Sequence, residues 1–208
     1  ENEKDGLIPN TEWKKNALGQ NWYLGETIIT GIGQGYMQTT PIQLCLMNAQ
    51  IANGGYKIYP KIILDDQKQD KYKDKYIKLY KDQKNIQLIQ EAMFSSTNEV
   101  MGTSYRSRIE DPKYQFAGKT GTAQVKKITA EERELDLKTF EIPYEQRDHA
   151  LYVAFGPFKH PRYSISIVIE HGGSGGTVAA PLAKKLFKMI IDRHEIRKNF
   201  DTNKYLNI

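Results

Sequence analysis

A cation, two hydroxyls and two glycines stand together at Phe116-Ala117-Gly118-Lys119-Thr120-Gly121-Thr122-Ala123-Gln124. This composition suits an extended edge strand that holds an anionic, peptide-like ligand. Phe, Ala and Thr favour extended chain, and glycines leave room for a second backbone to approach. Lys119 supplies fixed positive charge. Thr120 and Thr122 share one face because strand side chains alternate with period two. Unpaired main-chain groups along such an edge can pair with an added strand. The plain alternative is a solvated hairpin edge whose lysine discourages aggregation. A bare Lys-Thr-Gly recurs by chance, so the weight rests on the longer Gly118–Gln124 string.

Other chemistry finds less support. Cys45 is the single cysteine, which excludes an internal disulfide, and its apolar helical neighbours predict a core position. His149, His160, His171 and His194 lack metal-ligand spacing, so neither metal nor cofactor is expected. The glycines at Gly31, Gly33 and Gly35 match neither a phosphate loop nor a dinucleotide fingerprint. A net charge of +5 with basic and acidic residues interspersed gives little reason to expect nucleic acid.

The elements that must position the strand can be read in outline. Residues 6–14 read as polar loop, and Ile28-Ile29-Thr30 as β-rich, before a glycine bend at 31–35. Thr40-Pro41-Ile42-Gln43 is a strong helix start: Thr40 caps, Pro41 fits the first turn, and Gln43 completes a capping box. Ile42, Cys45, Leu46, Ala49 and Ala52 then form its expected core face, ending at Asn53-Gly54-Gly55. Residues 56–64 read as extended, and 65–84 as a solvated insertion or hairpin. A second helix carries Ile86, Ile89, Met93, Ser96 and Val100 at helical spacing, closed by Met101-Gly102-Thr103. After the Lys119 strand, residues 125–148 form a long charged connection. Residues 150–157 and 163–170 make a hairpin across Lys159-His160-Pro161-Arg162. His171 to Gly176 is a glycine loop. The last helix places Ala179, Leu182, Ala183, Leu186 and Ile190 inward, and a polar tail runs from Glu195 to Ile208. Helices, three strands and a closing helix predict an α+β fold with an antiparallel sheet between helical layers.

The 208 residues suffice for one sizeable core. No apolar run approaches the about 20 residues of a membrane span. No secretory leader stands at residue 1, which leaves a cytosolic chain or an export element outside this sequence as expectations.

Several strings in order carry a resemblance. They are Gly6-x-x-Pro9-x-x-Glu12-Trp13-Lys14, Trp22-Tyr23-x-Gly25-Glu26-Thr27, Gly31-Ile32-Gly33-Gln34-Gly35-Tyr36 and Thr40-Pro41-Ile42-Gln43. Gly118 to Val125, Arg147-Asp148-His149-Ala150 and the final glycine loop follow. Together they resemble the carboxy-terminal part of the transpeptidase domain of class B, elongation-type penicillin-binding proteins (the penicillin-binding protein 2 group). A β-lactamase would share the strand motif, but the Gly-Gln-Gly and Thr-Pro-Ile-Gln strings argue against it.

The resemblance implies a penicillin-binding/β-lactamase-like fold, here incomplete, over residues 1–194. It implies that Lys119 lends positive charge near a nucleophile and a substrate carboxylate, and that Thr120 and Thr122 hydrogen-bond that carboxylate. Gly121 would let the acyl-donor peptide lie close, and the Thr122 backbone N–H would be an oxyanion donor. The implied ligands are D-Ala-D-Ala stem peptides of peptidoglycan and β-lactams. The implied partners are membrane proteins of the elongation complex, at the periplasmic face of the bacterial inner membrane, with the anchor outside this sequence. The family attacks with serine in Ser-x-x-Lys. None of Ser95, Ser96, Ser104, Ser107, Ser164, Ser166 and Ser174 has lysine three positions on, so the nucleophile is absent. Ser96-Thr97-Asn98 mimics the family's Ser-x-Asn motif, but it lies beside the Lys119 strand rather than far upstream. The family's first two motifs would precede Glu1. The chain alone is therefore expected to be inactive and at best marginally folded. A non-catalytic module that binds peptide carboxylates is the alternative.

Overall fold

The computed structural model of the protein describes residues 4–60, 77–126, 134 and 137–205. Among the described residues, α-helices α1 Thr11–Leu18, α2 Leu24–Gly31, α3 Pro41–Ala52 and α4 Gln83–Asn98 precede the sheet. Strands β1 Ala117–Ala123, β2 His149–Gly156 and β3 Tyr163–Ile169 follow, and α5, Ala180–Tyr205, closes the fold. The sheet is antiparallel in the order β1-β2-β3. Thr120 stands opposite Tyr152, and Tyr152 opposite Ile167.

The sheet has a core on each side. Phe116, Tyr152 and Ala154 pack with Ala180, Ala183 and Phe187 of α5, where Phe116 and Phe187 stack at 5.0 Å. On the other side Ala117 and Phe155 meet Ile51 of α3 and Met93 of α4. The α+β fold with helices on both faces of an antiparallel sheet is thus as the sequence predicts.

Two amino-terminal elements differ from that reading. The segment expected to be loop holds α1, capped by Asn10, whose Oδ1 accepts from the Trp13 N–H at 2.8 Å. The β-branched run Ile28-Ile29-Thr30 lies within α2 rather than in a strand. Glu26 overrides the local preference. Its carboxylate accepts from the Tyr23 N–H at 2.7 Å and from the Lys14 ammonium at 2.5 Å, which ties the start of α2 to α1. Lys14 is only 2% exposed, and Tyr23 lies 4.7 Å from its ammonium in a cation–π contact.

Three expected core faces are rotated. In α3 the capping box forms as read, yet Ile42 is exposed, and Asn48 and Ile51 are the buried residues. In α4 the buried positions are Ile86, Met93 and Thr97, while Ile89 and Val100 are exposed and Ser96 half-buried. In α5 Ala183, Phe187 and Ile191 are buried, whereas Leu182 and Leu186 face outward and Ile190 is half-buried. Polar Asn48 and Thr97 occupy core stripes because each finds long-range partners. Asn48 Nδ2 donates to Ala154 O and Ser164 Oγ, both at 2.7 Å, and Thr97 bonds the Tyr152 hydroxyl at 2.9 Å.

The chain just after α3 pairs with the far part of the expected insertion. Lys57 N–H donates to Ile77 O at 2.8 Å, and Leu79 N–H to Gly55 O at 2.9 Å. Residues 61–64 of the expected extended segment, 65–76 of the insertion and part of the 125–148 connection lie outside the described residues. Helix α5 continues past Glu195 through Tyr205, so the expected polar tail begins as helix.

Candidate active site

The site is the outer edge of β1. Among the described residues only β2 flanks this strand in the sheet. In an antiparallel pair the N–H and C=O of one residue point the same way, so the acceptors along β1 fix its phase. Gln115 O takes the Phe158 N–H at 2.8 Å on the hairpin side. Phe116 O instead takes Asn98 Nδ2 at 3.0 Å, and Thr122 O takes Gln34 Nε2 at 2.6 Å. Phe116, Gly118, Thr120 and Thr122 therefore turn their main-chain groups to the open edge. Lys119, Gly121 and Ala123 turn theirs to Val153, Leu151 and His149.

Side chains complete the edge. Lys119 is exposed, and its ammonium donates to Thr120 O at 2.9 Å and Thr120 Oγ1 at 3.4 Å. Thr120 Oγ1 lies 3.3 Å from Thr103 Oγ1, which lies 3.2 Å from Ser96 Oγ. An ammonium only donates and a hydroxyl donates once. Lys119 therefore orients this chain, so that Thr120 passes its proton towards Thr103. An anion at the edge would draw on the ammonium and reverse the Thr120 hydroxyl.

Thr122 is exposed on the same strand face as Thr120. The glycine loop backs the strand at Gly121. A Cβ on Gly175 would lie 3.0 Å from Gly121 O and collide with Leu151 O, so only glycine permits this approach.

Tyr152 braces the edge from within. It is fully buried, and its hydroxyl bonds Thr97 at 2.9 Å and Ser104 at 3.0 Å. Burial pushes its phenol pKa up, against the opposing pull of the Ser104 and Thr97 hydrogen bonds. The neutral phenol pins β2 to the end of α4 and to the turn that presents Thr103. The loop after α2 forms the far wall. Together with residues 121–126 and Leu151, residues 32–35, Met37 and Leu44 enclose a groove of about 700 Å³.

The structure thus brings Lys119, Thr120, Gly121 and Thr122 to one edge. Thr103 and Gln34 join them without having been singled out individually by the sequence reading. The signal for Gln34 was a polar residue between two glycines. Thr103 carried none, because its link to Thr120 is tertiary. Within Ser96-Thr97-Asn98, Thr97 is buried, Asn98 Nδ2 donates to Phe94 O and Phe116 O, each at 3.0 Å, and Ser96 meets the edge through Thr103.

The penicillin binding protein transpeptidase domain family matches residues 2–188. The chain belongs to this family. Among curated relatives it is 34% identical over 201 residues to the peptidoglycan D,D-transpeptidase MrdA of Salmonella typhimurium, covering 91% of this chain and 31% of that protein. The chain therefore spans about a third of the length of the curated relatives it matches. Penicillin-binding protein 2 of Helicobacter pylori, solved in complex with MreC, superposes with a TM-score of 0.74 at 31% identity. That match covers 92% of this chain and 32% of the other. Penicillin-binding protein 2 of Pseudomonas aeruginosa, in complex with WCK 5153, gives a TM-score of 0.69 at 35% identity over 90% of this chain and 38% of its own.

Proposed function

We propose that this chain forms the substrate wall of a peptidoglycan D,D-transpeptidase that cross-links stem peptides during cell elongation. The observation that carries the reading is the β1 edge, where the main-chain groups of Thr120 and Thr122 face outward beside the Lys119 ammonium. A peptide ending in D-Ala-D-Ala docks as an added strand, with its terminal carboxylate at Lys119 and the Thr120 and Thr122 hydroxyls. Its scissile carbonyl then meets the Thr122 N–H, which stabilises charge building on that oxygen.

The covalent step belongs to a serine outside this sequence. Its oxygen attacks the penultimate D-Ala carbonyl, the peptide bond breaks, and terminal D-alanine leaves with the serine proton. A neighbouring amine then attacks the acyl ester, forms the cross-link and restores the serine. β-Lactams enter as mimics of the donor peptide. Elongation-complex proteins, of the kind seen with the Helicobacter relative, are the partners by the same reading, on the periplasmic face of the inner membrane. Taken alone, the chain binds peptide carboxylates without acylation, because no serine stands in Ser-x-x-Lys.

Backbone amide NMR tests the binding step. A D-Ala-D-Ala peptide should shift the Thr120, Gly121 and Thr122 amides, and Lys119→Ala should weaken binding about tenfold through loss of a charge-assisted hydrogen bond. Shifts elsewhere, or equal affinity in Lys119→Ala, would reject the reading.

A further inference from the structure

A second cavity, of about 380 Å³, shares no lining residue with the β1 groove. Its wall is Arg106, Arg108, Ile109, Glu110, Lys184 and Lys188. Four cations converge on one space with a single carboxylate among them. A cleft lined by one sign of charge concentrates ions of the opposite sign.

Two separate stretches bring these charges together, and buried neighbours fix each of them. Arg106 and Arg108 flank Ser107, which is only 1% exposed in the turn Tyr105–Ser107. The Ser107 N–H donates to Ser104 O at 2.8 Å, and the Arg108 N–H to Tyr105 O at 3.0 Å. Ser104 is anchored in turn on the buried Tyr152 hydroxyl. Lys184 and Lys188 stand one turn apart on α5, each directly after a fully buried residue, Ala183 and Phe187.

Little within the chain balances this charge. Glu110 is paired with Arg108 at 2.9 Å. Asp192, one turn beyond Lys188, takes the Tyr114 hydroxyl at 2.5 Å and the Lys113 ammonium at 3.5 Å. Among the described residues, no hydrogen bond or ion pair engages the side chain of Arg106 or Lys184. Aromatic rings brace two of the cations instead: Arg108 lies 4.1 Å from the Tyr105 ring and Lys188 5.6 Å from that of Tyr114. The cations are positioned without being neutralised, and their mutual repulsion opposes folding.

We infer that this cavity is a binding site for a compact, multiply charged oxyanion of the phosphate class. The Arg106 fork meets two oxygens of one phosphoryl group, and the two ammoniums add point charges around it. A lone carboxylate carries one charge, too few for this wall. A soluble phosphoryl ligand and an anionic phospholipid headgroup offer the same chemistry. The site does not depend on the peptide-docking reading, so either can fail without the other.

Amide NMR and calorimetry on the whole chain test it, with inorganic pyrophosphate as the probe at fixed ionic strength. Pyrophosphate should shift the Arg106, Ile109 and Lys184 amides, whereas acetate at the same ionic strength should not. Arg106→Gln and Lys184→Gln should each weaken pyrophosphate binding about tenfold, the worth of one charge-assisted hydrogen bond. Lys185→Gln removes the same charge from an exposed neighbour that does not line the cavity, and should leave the affinity unchanged. Equal weakening by Lys185→Gln would show a diffuse charge effect and overturn the site, as would shifts confined to other amides. Co-sedimentation with phosphatidylglycerol vesicles, against phosphatidylcholine vesicles, separates the two sources. Vesicle binding that Arg106→Gln weakens assigns the headgroup, and pyrophosphate binding without it assigns a soluble ligand. Binding of neither probe overturns the inference. Should a variant fail to fold, the amide shifts of the unmodified chain still decide.

Discussion

At the residue scale, the β1 edge depends on groups buried behind it. The Tyr152 hydroxyl is shared between Thr97 and Ser104 in a fully buried position. Tyr152→Phe should cost about 1–3 kcal/mol in chemical denaturation, because it leaves those hydroxyls short of a partner. The low end of that range is favoured, since Thr97 still reaches Met93 O and Ser104 still reaches Ser96 O. The phenol also sets a pH dependence. Its folded pKa is raised above the ordinary 10.0, chiefly by burial. A raised value means stability that is complete below pH 10 and lost as pH rises through the folded value. Thermal melts of the parent protein should fall in that range, and Tyr152→Phe should show less of the fall.

At the element scale, helix faces decide which apolar side chains matter. Phe187 of α5 is fully buried and stacked on Phe116 at 5.0 Å, whereas its neighbour Leu186 is 39% exposed. Phe187→Ala should lose about 3–5 kcal/mol, and Leu186→Ala about 0.5 kcal/mol or less. Equal losses in denaturant titrations would contradict the packing. The α1–α2 pair makes the opposite kind of prediction. Glu26 has its pKa lowered from 4.5, first by the hydrogen bond from Lys14 and then by that from the Tyr23 N–H. A lowered value gives stability that is complete above pH 4.5 and lost as pH falls through the folded value. The stability gap between the parent chain and Glu26→Gln should therefore be full at neutral pH and close on acidification. A gap that persists in acid would show that Lys14 and Glu26 are not coupled.

These elements also show what was legible in the sequence. The α3 start, the hairpin and the Lys119 strand carry their own short-range chemistry, and each formed where it was read. Helix α2 did not announce itself. Ile28, Ile29 and Thr30 are β-branched, and the partner that holds their helix is Lys14, twelve residues from Glu26. The rotated faces of α3 and α4 share one cause: apolar periodicity cannot anticipate a buried Asn48 or Thr97 whose partners lie across the sheet. Lys119 to Thr122 were legible as part of one strand from composition and spacing. Gln34 and Thr103 were not, since hydrogen bonds spanning 88 and 17 residues leave no local trace.

At the scale of the whole molecule, the described sheet is open at both edges. Neither β1 nor β3 has a further strand on its outer side among the described residues. Leu24, Ile28 and Ile32 lie exposed along α2 at 78%, 64% and 74%, and Leu182, Leu186 and Met189 lie exposed on α5. Exposed apolar surfaces of this kind mark places where other protein packs. A chain that holds the substrate wall without the nucleophile, as proposed above, cannot be acylated. Its intact mass should therefore stay unchanged after incubation with a penicillin. A stable adduct of one drug mass, above all one mapped to Ser96, would contradict it.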